Sequence, residues 1–225
     1  MIWPTISTDN FFPNLEGVIK FAKSLPYTAA KEGSWPGERT ELLSRVDTNF
    51  FNYSTSKMVA LLYPQDWRTM RWNAISMFQR IKGTWQGEGW VHQDDPEISC
   101  IVYLEGDENC GTSLVKQLTQ QTVAGQWTGE KLQKIRRAGN LSPKKFNTKK
   151  HQEARDKNNK KFKKTVSFDS VPNRCVIFDA KNYHKVDNYN NSENNTRLTL
   201  ITFFRSIIRD DGSQVKYHAA EAKRL

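Results

Sequence analysis

The most restrictive feature of this chain is a set of short β-prone segments separated by polar turns. Segment 197–205 reads Arg-Leu-Thr-Leu-Ile-Thr-Phe-Phe-Arg and is the richest in β-branched and aromatic residues. Short strands joined by polar turns are typical of sandwiches and barrels, so the sequence predicts a mainly β fold. The other predicted strands lie at 74–81, 97–105, 112–115, 165–168 and 174–180.

Two helical regions are predicted before the first of these strands. Apolar residues recur at roughly helical spacing in 14–25, and Pro26 then ends the helix. Segment 40–62 contains no Gly or Pro and is compatible with one or two helices. A chain of 225 residues is long enough for one all-β domain with a good core, so we expect a single domain over residues 1–225.

The composition argues against membrane, secreted and zinc-binding classes. No apolar run of about 18 residues occurs, and the N-terminal segment Met-Ile-Trp-Pro-Thr lacks the basic and apolar parts of a secretory signal. We therefore expect a cytoplasmic protein with no membrane partner. Cys100, Cys110 and Cys175 lack the close paired spacing of a zinc site, and we interpret them as packing thiols.

The whole net charge of +10 comes from one polar insertion, residues 117–164. Its part 131–164 holds 14 of the 34 Lys and Arg residues and 2 of the 24 Asp and Glu residues, which leaves 20 and 22 for the remainder. The insertion has too few large apolar residues for a core of its own, so we expect an exposed, partly mobile segment with one helix near 129–137. We also expect His151, in this insertion, and His218, in the polar tail, to be exposed.

Two histidines and a carboxylate form the candidate metal site. His92 and Asp94 are two residues apart in Trp90-Val91-His92-Gln93-Asp94, so they share one side of the chain if the segment is the end of a strand. The apolar, strand-like run 175–184 ends in His184. Two histidines and one carboxylate on one face, with open positions opposite, are the ligand set of non-heme Fe(II) oxygenases.

The order of these motifs resembles the Fe(II)- and 2-oxoglutarate-dependent dioxygenase superfamily, and within it the prolyl-4-hydroxylase-like branch. The resemblance covers roughly residues 72–116 and 165–206. It implies a double-stranded β-helix, the cupin-like jelly roll, with the N-terminal helices packed outside. It also implies that His92, Asp94 and His184 bind Fe(II), with 2-oxoglutarate and O2 as co-substrates.

The same resemblance suggests which residues bind 2-oxoglutarate. Arg197, at the start of the final core strand, matches the basic residue that binds the distal carboxylate, since a guanidinium can grip a carboxylate with two charge-assisted hydrogen bonds. Thr199 follows at i+2 and matches the second half of an Arg-x-Ser/Thr pair. Tyr103 lies where related proteins often have a tyrosine that contacts the co-substrate.

The implied activity is hydroxylation of a substrate C–H bond, with release of succinate and CO2. A protein side chain is the first expected substrate class, and a small molecule is also possible. Trp85 and Trp90 flank the metal motif and are candidates for a substrate cleft, although aromatic residues beside a loop are equally often part of a core. Two alternatives use the basic insertion: a hydroxylase or demethylase of nucleic-acid bases, and a non-catalytic nucleic-acid-binding jelly roll. The few aromatic residues within the insertion, Phe146 and Phe162, do not indicate a base-stacking platform.

Overall fold

The fold was analysed in a computed structural model that describes residues 3–118, 130–189 and 196–212. It confirms a mainly β architecture with helices added to it. The helices are α1 (Leu15–Ser24), α2 (Leu43–Val46), α3 (Thr48–Leu62), α4 (Glu130–Asn140), α5 (Pro143–Phe146) and α6 (Lys149–Asn159). The strands are β1 (Ile6–Thr8), β2 (Thr28–Ala29), β3 (Glu38–Arg39), β4 (Met70–Lys82), β5 (Ile98–Glu105), β6 (Thr112–Gln117), β7 (Phe162–Phe168), β8 (Cys175–Asp179), β9 (His184–Val186) and β10 (Thr196–Arg209).

Two antiparallel sheets form the jelly roll. The larger has the strand order β1-β8-β5-β10-β4-β3-β2, and the smaller has the order β7-β6-β9. The central strand β10 is the segment that the sequence marks as most β-prone, and it pairs with β4 on one side and β5 on the other. This position buries both of its faces, as its nearly continuous run of apolar residues predicts.

Helices α1 and α3 cover the outer face of the large sheet, as predicted. Asn14 caps α1 by accepting a hydrogen bond from the Gly17 N–H, and Asp47 caps α3 in the same way at the Phe50 N–H. The core between the helices and the sheet includes Leu43, Met58, Phe78, Leu200 and Phe204. Burial of these side chains fixes the sheet whose opposite face carries the candidate site.

The prediction that the basic insertion is merely exposed is wrong for residues 130–159. Residues 130–159 form the three helices α4, α5 and α6, and Phe146 is only 1% exposed, in a small cluster with Ile81, Trp85 and Tyr189. The insertion needs no core of its own, because it completes an existing one. The helix predicted near residue 129 is α4, which the structure describes from Glu130; residues 119–129 lie outside the described part.

The expectation for His151 is also wrong, since the side chain is 2% exposed, whereas His218 lies outside the described residues. Hydrogen bonds with the main chain of residues 89–91 offset the cost of burying the polar side chain of Asn159 on α6. Asn159 Oδ1 accepts from the Val91 N–H at 2.9 Å, and its amide donates to the Gly89 carbonyl at 2.8 Å. The insertion is thereby tied to the segment that leads into His92.

Among the described helices, none is long and apolar enough to cross a membrane. Cys100, Cys110 and Cys175 are all buried free thiols. The organisation of residues 1–225 as a single domain stays a prediction.

Candidate metal centre

His92 and His184 meet at an isolated antiparallel bridge beside the small sheet. The N–H of each residue donates to the carbonyl of the other, at 2.9 and 2.8 Å. The sequence predicted each histidine at the end of a strand. Instead, His92 lies in a loop, because its neighbours bond to the insertion, and His184 begins β9 after β8 has ended at Asp179.

Asp94 completes the group through its own main-chain anchor. Its N–H donates to the Ala180 carbonyl at 2.9 Å, and its Oδ2 accepts from the Ser99 hydroxyl at 2.7 Å. Asp94 Oδ1 lies 3.6 Å from His92 Nε2, and Oδ2 lies 3.2 Å from His184 Nε2. One ligand atom from each residue lies within 4.8 Å of the others, so the three can hold one metal ion.

Main-chain carbonyls select the tautomer of both histidines. His92 Nδ1 is 2.8 Å from the Trp90 carbonyl oxygen, and His184 Nδ1 is 2.9 Å from that of Asn182. A carbonyl oxygen only accepts hydrogen bonds, so each Nδ1 carries the proton. Both Nε2 lone pairs therefore face Asp94 and are available to a metal, the arrangement usual for histidine ligands.

The electrostatics favour the protonation states that bind a metal. Burial is the largest effect on His92 and, with the nearby charges of His184 and Arg136, lowers its pKa to about 3. Burial alone would raise the pKa of Asp94, but the adjacent His184, then His92 and the Ser99 hydrogen bond, together hold that pKa below its usual range. A neutral His92 beside an ionised Asp94 is what cation coordination requires.

The three residues line a cavity of about 200 Å³ between the two sheets and the insertion. Arg197 lines the same cavity and is 2% exposed. Its Nε donates to the Cys110 carbonyl at 2.7 Å, whereas its buried Nη2 has no hydrogen-bond partner among the described residues. A buried donor without a partner is costly, so this guanidinium fits an anionic ligand in the cavity.

Tyr103 and Thr199 do not line the cavity. The ring of Tyr103 lies beneath the Arg197 guanidinium at 5.5 Å, and its hydroxyl, whose pKa burial raises, donates to Thr112 Oγ1 at 2.8 Å. Thr199 lies beyond a register shift between β10 and β5, and its hydroxyl faces the Gln79 carbonyl at 3.5 Å. Thr112, which accepts the hydrogen bond from Tyr103 and lines the cavity as Arg197 does, was not predicted.

The two tryptophans that flank the motif have different positions. Trp85 packs edge-on against Phe146 at 5.1 Å and is not part of the cavity lining. Trp90 does line the cavity, and its indole N–H donates to His151 Nε2 at 2.9 Å.

Sequence reasoning missed two cavity arginines. Arg39 lies on β3, before the core strands, and Arg136 lies on α4. No motif marked Arg39. Arg136 was counted only as part of the charge of an insertion expected to be exposed.

The family comparison covers nearly all of the chain. A model described as "Family of unknown function (DUF6445)" matches residues 3–204. This chain belongs to DUF6445. No match was found among curated proteins.

Solved structures similar to this DUF6445 chain are Fe(II)/2-oxoglutarate oxygenases, and they confirm the predicted fold. The non-heme α-ketoglutarate-dependent carbocyclase SnoK from nogalamycin biosynthesis has a TM-score of 0.52 at 8% identity, over 95% of this chain and 89% of that chain. HygX from Streptomyces hygroscopicus, with nickel and 2-oxoglutarate bound, has a TM-score of 0.51 at 10% identity, over 97% and 94%. A Trichoplax adhaerens prolyl hydroxylase in complex with a peptide fragment of hypoxia inducible factor has a TM-score of 0.51 at 13% identity, over 89% and 83%.

Proposed function

We propose that this protein is an Fe(II)- and 2-oxoglutarate-dependent dioxygenase that hydroxylates an organic substrate. The observation that carries the proposal is the convergence of His92, Asp94 and His184 in one cavity with the partnerless guanidinium of Arg197. The fold is that of oxygenases, and HygX binds nickel and 2-oxoglutarate. Fold alone does not define an activity, so the proposal depends on these four residues.

Each residue has a distinct role in the proposal. His92 and His184 offer Nε2 lone pairs, and Asp94 offers a carboxylate oxygen, which together leave positions on the metal open for co-substrates. When bound, the ferrous ion and 2-oxoglutarate supply the oxidising chemistry with O2. Arg197 binds the distal carboxylate of 2-oxoglutarate, and Tyr103 and Thr112 support its guanidinium. Trp90 and Phe178, which line the cavity near the ligands, exclude water from it.

The metal role is tested with Asp94→Asn and its neighbour Asp95→Asn. Asp95 is an exposed carboxylate one residue away, so it is a matched control. We expect Mn(II) binding, followed by calorimetry, to be lost or weakened at least tenfold in Asp94→Asn and unchanged in Asp95→Asn. Equal effects of the two substitutions would contradict the assigned ligand set.

The co-substrate role is tested with Arg197→Gln and, as control, Arg209→Gln at the exposed end of the same strand. Anaerobic addition of 2-oxoglutarate to the Fe(II) protein is expected to produce the visible charge-transfer absorption of a 2-oxo acid chelate. Arg197→Gln should raise the required 2-oxoglutarate concentration roughly tenfold or more, because a charge-assisted bidentate contact is lost. Succinate formation in air is the second measurement; a wild-type protein that shows neither absorption nor succinate would refute the activity.

A protein side chain as substrate and a cytoplasmic location are parts of the proposal, and the peptide bound by the Trichoplax enzyme makes the first reasonable.

For the nucleic-acid alternatives, Phe146 is buried and so cannot stack on a base. Their test is salt-dependent oligonucleotide binding after replacement of the exposed Lys144, Lys145, Lys149 and Lys150 by Gln. Deleting 131–164 is a poorer test, because it would remove Phe146 and uncover Ile81, Trp85 and Tyr189, which pack with it.

A further inference from the structure

The cavity contains more positive charge than the proposed co-substrates can balance. Four basic side chains line it, and Asp94 is the one carboxylate among the described lining residues. Lys185 forms an ion pair with Glu88, so its charge is already matched. The charges of a ferrous ion and of Arg197 are balanced by Asp94 and the two carboxylates of 2-oxoglutarate. Arg39 and Arg136 remain, with two positive charges.

Arg39 is held in the cavity without a carboxylate partner. Its guanidinium stacks on Trp35 at 4.2 Å, and Nη2 donates to Gln79 Oε1 at 3.2 Å. Its buried Nε has no hydrogen-bond partner among the described residues. Burial lowers its pKa to about 10, against the opposing charge of Asp94, so the side chain stays charged at neutral pH. The stacking and the Gln79 contact fix its orientation.

Arg136 lines the same cavity from helix α4, which packs against the loop before Arg39 through the hydrogen bond from Asn140 to the Gly33 carbonyl. Within the described ranges 3–118, 130–189 and 196–212, it forms no hydrogen bond and no ion pair within 4.0 Å. Burial lowers its pKa, and the nearby Tyr189 and Asp94 oppose that effect. It lines the cavity together with His92, Asp94 and His184.

Two half-buried guanidiniums without carboxylate partners are costly unless an anion joins them. We infer that Arg39 and Arg136 form an oxyanion subsite that binds a carboxylate or phosphate of the substrate, which is a small organic acid. This inference rests on the proposed function and changes its substrate class: a small acid takes the place of the protein side chain. The small volume of the cavity, about 200 Å³, and its cover of insertion helices suit a small acid better than a polymer.

The subsite also gives α4 a role in substrate selection. Arg39 belongs to the large sheet, whereas Arg136 belongs to the insertion, so an anion between them links the insertion to the jelly roll. An oxyanion can accept hydrogen bonds from both planar donor sets at once, which positions the rest of the substrate relative to the metal ligands. A neutral analogue of the substrate would lack this contact.

The subsite is tested by anion binding to the full chain loaded with Ni(II) and N-oxalylglycine, a non-reacting analogue of 2-oxoglutarate. The probes are inorganic phosphate and, separately, butyrate, followed by calorimetry. We expect saturable binding of at least one probe, weakened roughly tenfold or more in Arg39→Gln and Arg136→Gln. Arg137→Gln, an exposed neighbour on α4, is the matched control and should bind as the wild type does. Arg136→Lys keeps the charge and should lose less affinity than Arg136→Gln.

Each other outcome has a defined meaning. No saturable binding of either probe by the wild type, or equal losses in Arg136→Gln and Arg137→Gln, would overturn the subsite. If the Gln variants weaken N-oxalylglycine and not the probes, the two arginines bind the co-substrate, which also overturns the subsite while supporting the proposed activity. If the wild type binds neither Ni(II) nor N-oxalylglycine, the proposed function fails, and the same titrations on the metal-free protein still test Arg39 and Arg136.

Discussion

Trp90 lies two positions before the proposed ligand His92, and a hydrogen bond to His151 of the insertion holds its indole ring. This hydrogen bond requires a neutral His151. His151 Nδ1 lies 2.8 Å from the Phe146 carbonyl oxygen and donates to it, so Nε2 must accept from the Trp90 indole at 2.9 Å. A protonated His151 could not accept. Burial lowers its pKa from 6.5 to about 4; the Phe146 hydrogen bond opposes this shift, and the charge of Arg155 adds to it.

Acid should therefore destabilise the protein through His151. Because the folded pKa is lower than the unfolded pKa, the unfolded chain binds more protons between pH 6.5 and 4, and stability falls as the pH falls through that window. The contribution is fully present above pH 6.5. With these two pKa values, the free energy of unfolding drops by about 2 kcal/mol between about pH 7.5 and about pH 5.

The measurement is urea unfolding with EDTA, at both pH values, of the wild type and of His151→Gln, which cannot titrate. His92 also has a lowered pKa and adds to the loss in both proteins, so the informative quantity is the difference between their losses. We expect the wild type to lose about 2 kcal/mol more than the variant. Equal losses would refute the claim that a neutral His151 joins the insertion to Trp90.

Two further predictions concern the support of the site. Ser99→Ala removes the 2.7 Å hydrogen bond to Asp94 and should weaken Mn(II) binding about tenfold. Ser76→Ala, on a buried serine outside the cavity lining, is the control and should bind Mn(II) as the wild type does. Equal Mn(II) affinities of the two variants would show that Ser99 does not orient Asp94. A Cβ added at Gly139 would lie 2.1 Å from the His151 ring. Gly139→Ala should therefore lower the free energy of unfolding, measured in urea, by about 1–3 kcal/mol. An unchanged urea midpoint of unfolding would contradict the close packing of α4 on α6.

The strands and the clustering of His92, Asp94 and His184 could be predicted because their determinants are local. The β-prone composition of residues 197–205 marks the central strand, and the His-x-Asp spacing with a later histidine marks the three residues that come together. The exact backbone around His92 could not be predicted. It is a loop whose N–H groups bond to Asn159 and His184, distant in sequence, and no local pattern encodes such pairings.

The residues around Arg197 show a second reason why part of the site could not be predicted from the sequence. The i, i+2 rule placed Thr199 beside it, but the register shift between Leu198 and Thr199 interrupts the regular pairing of β10 with β5. Thr112, which does line the cavity, belongs to the other sheet. Sequence spacing within one strand says nothing about which residue faces it from a second sheet.

The basic insertion shows why a count of charges was misleading. Its exposed lysines, such as Lys149 and Lys150, point to solvent, whereas Arg136 lines the cavity and Arg155 is buried against Phe146 at 5.6 Å. A guanidinium is less strongly hydrated than an ammonium and stacks on aromatic rings, so arginine is the basic residue better suited to burial. Net charge treats the two residue types alike, and it therefore kept a polyanionic partner as an alternative. Residue type and burial together favour a small anion that reaches Arg136 inside the cavity.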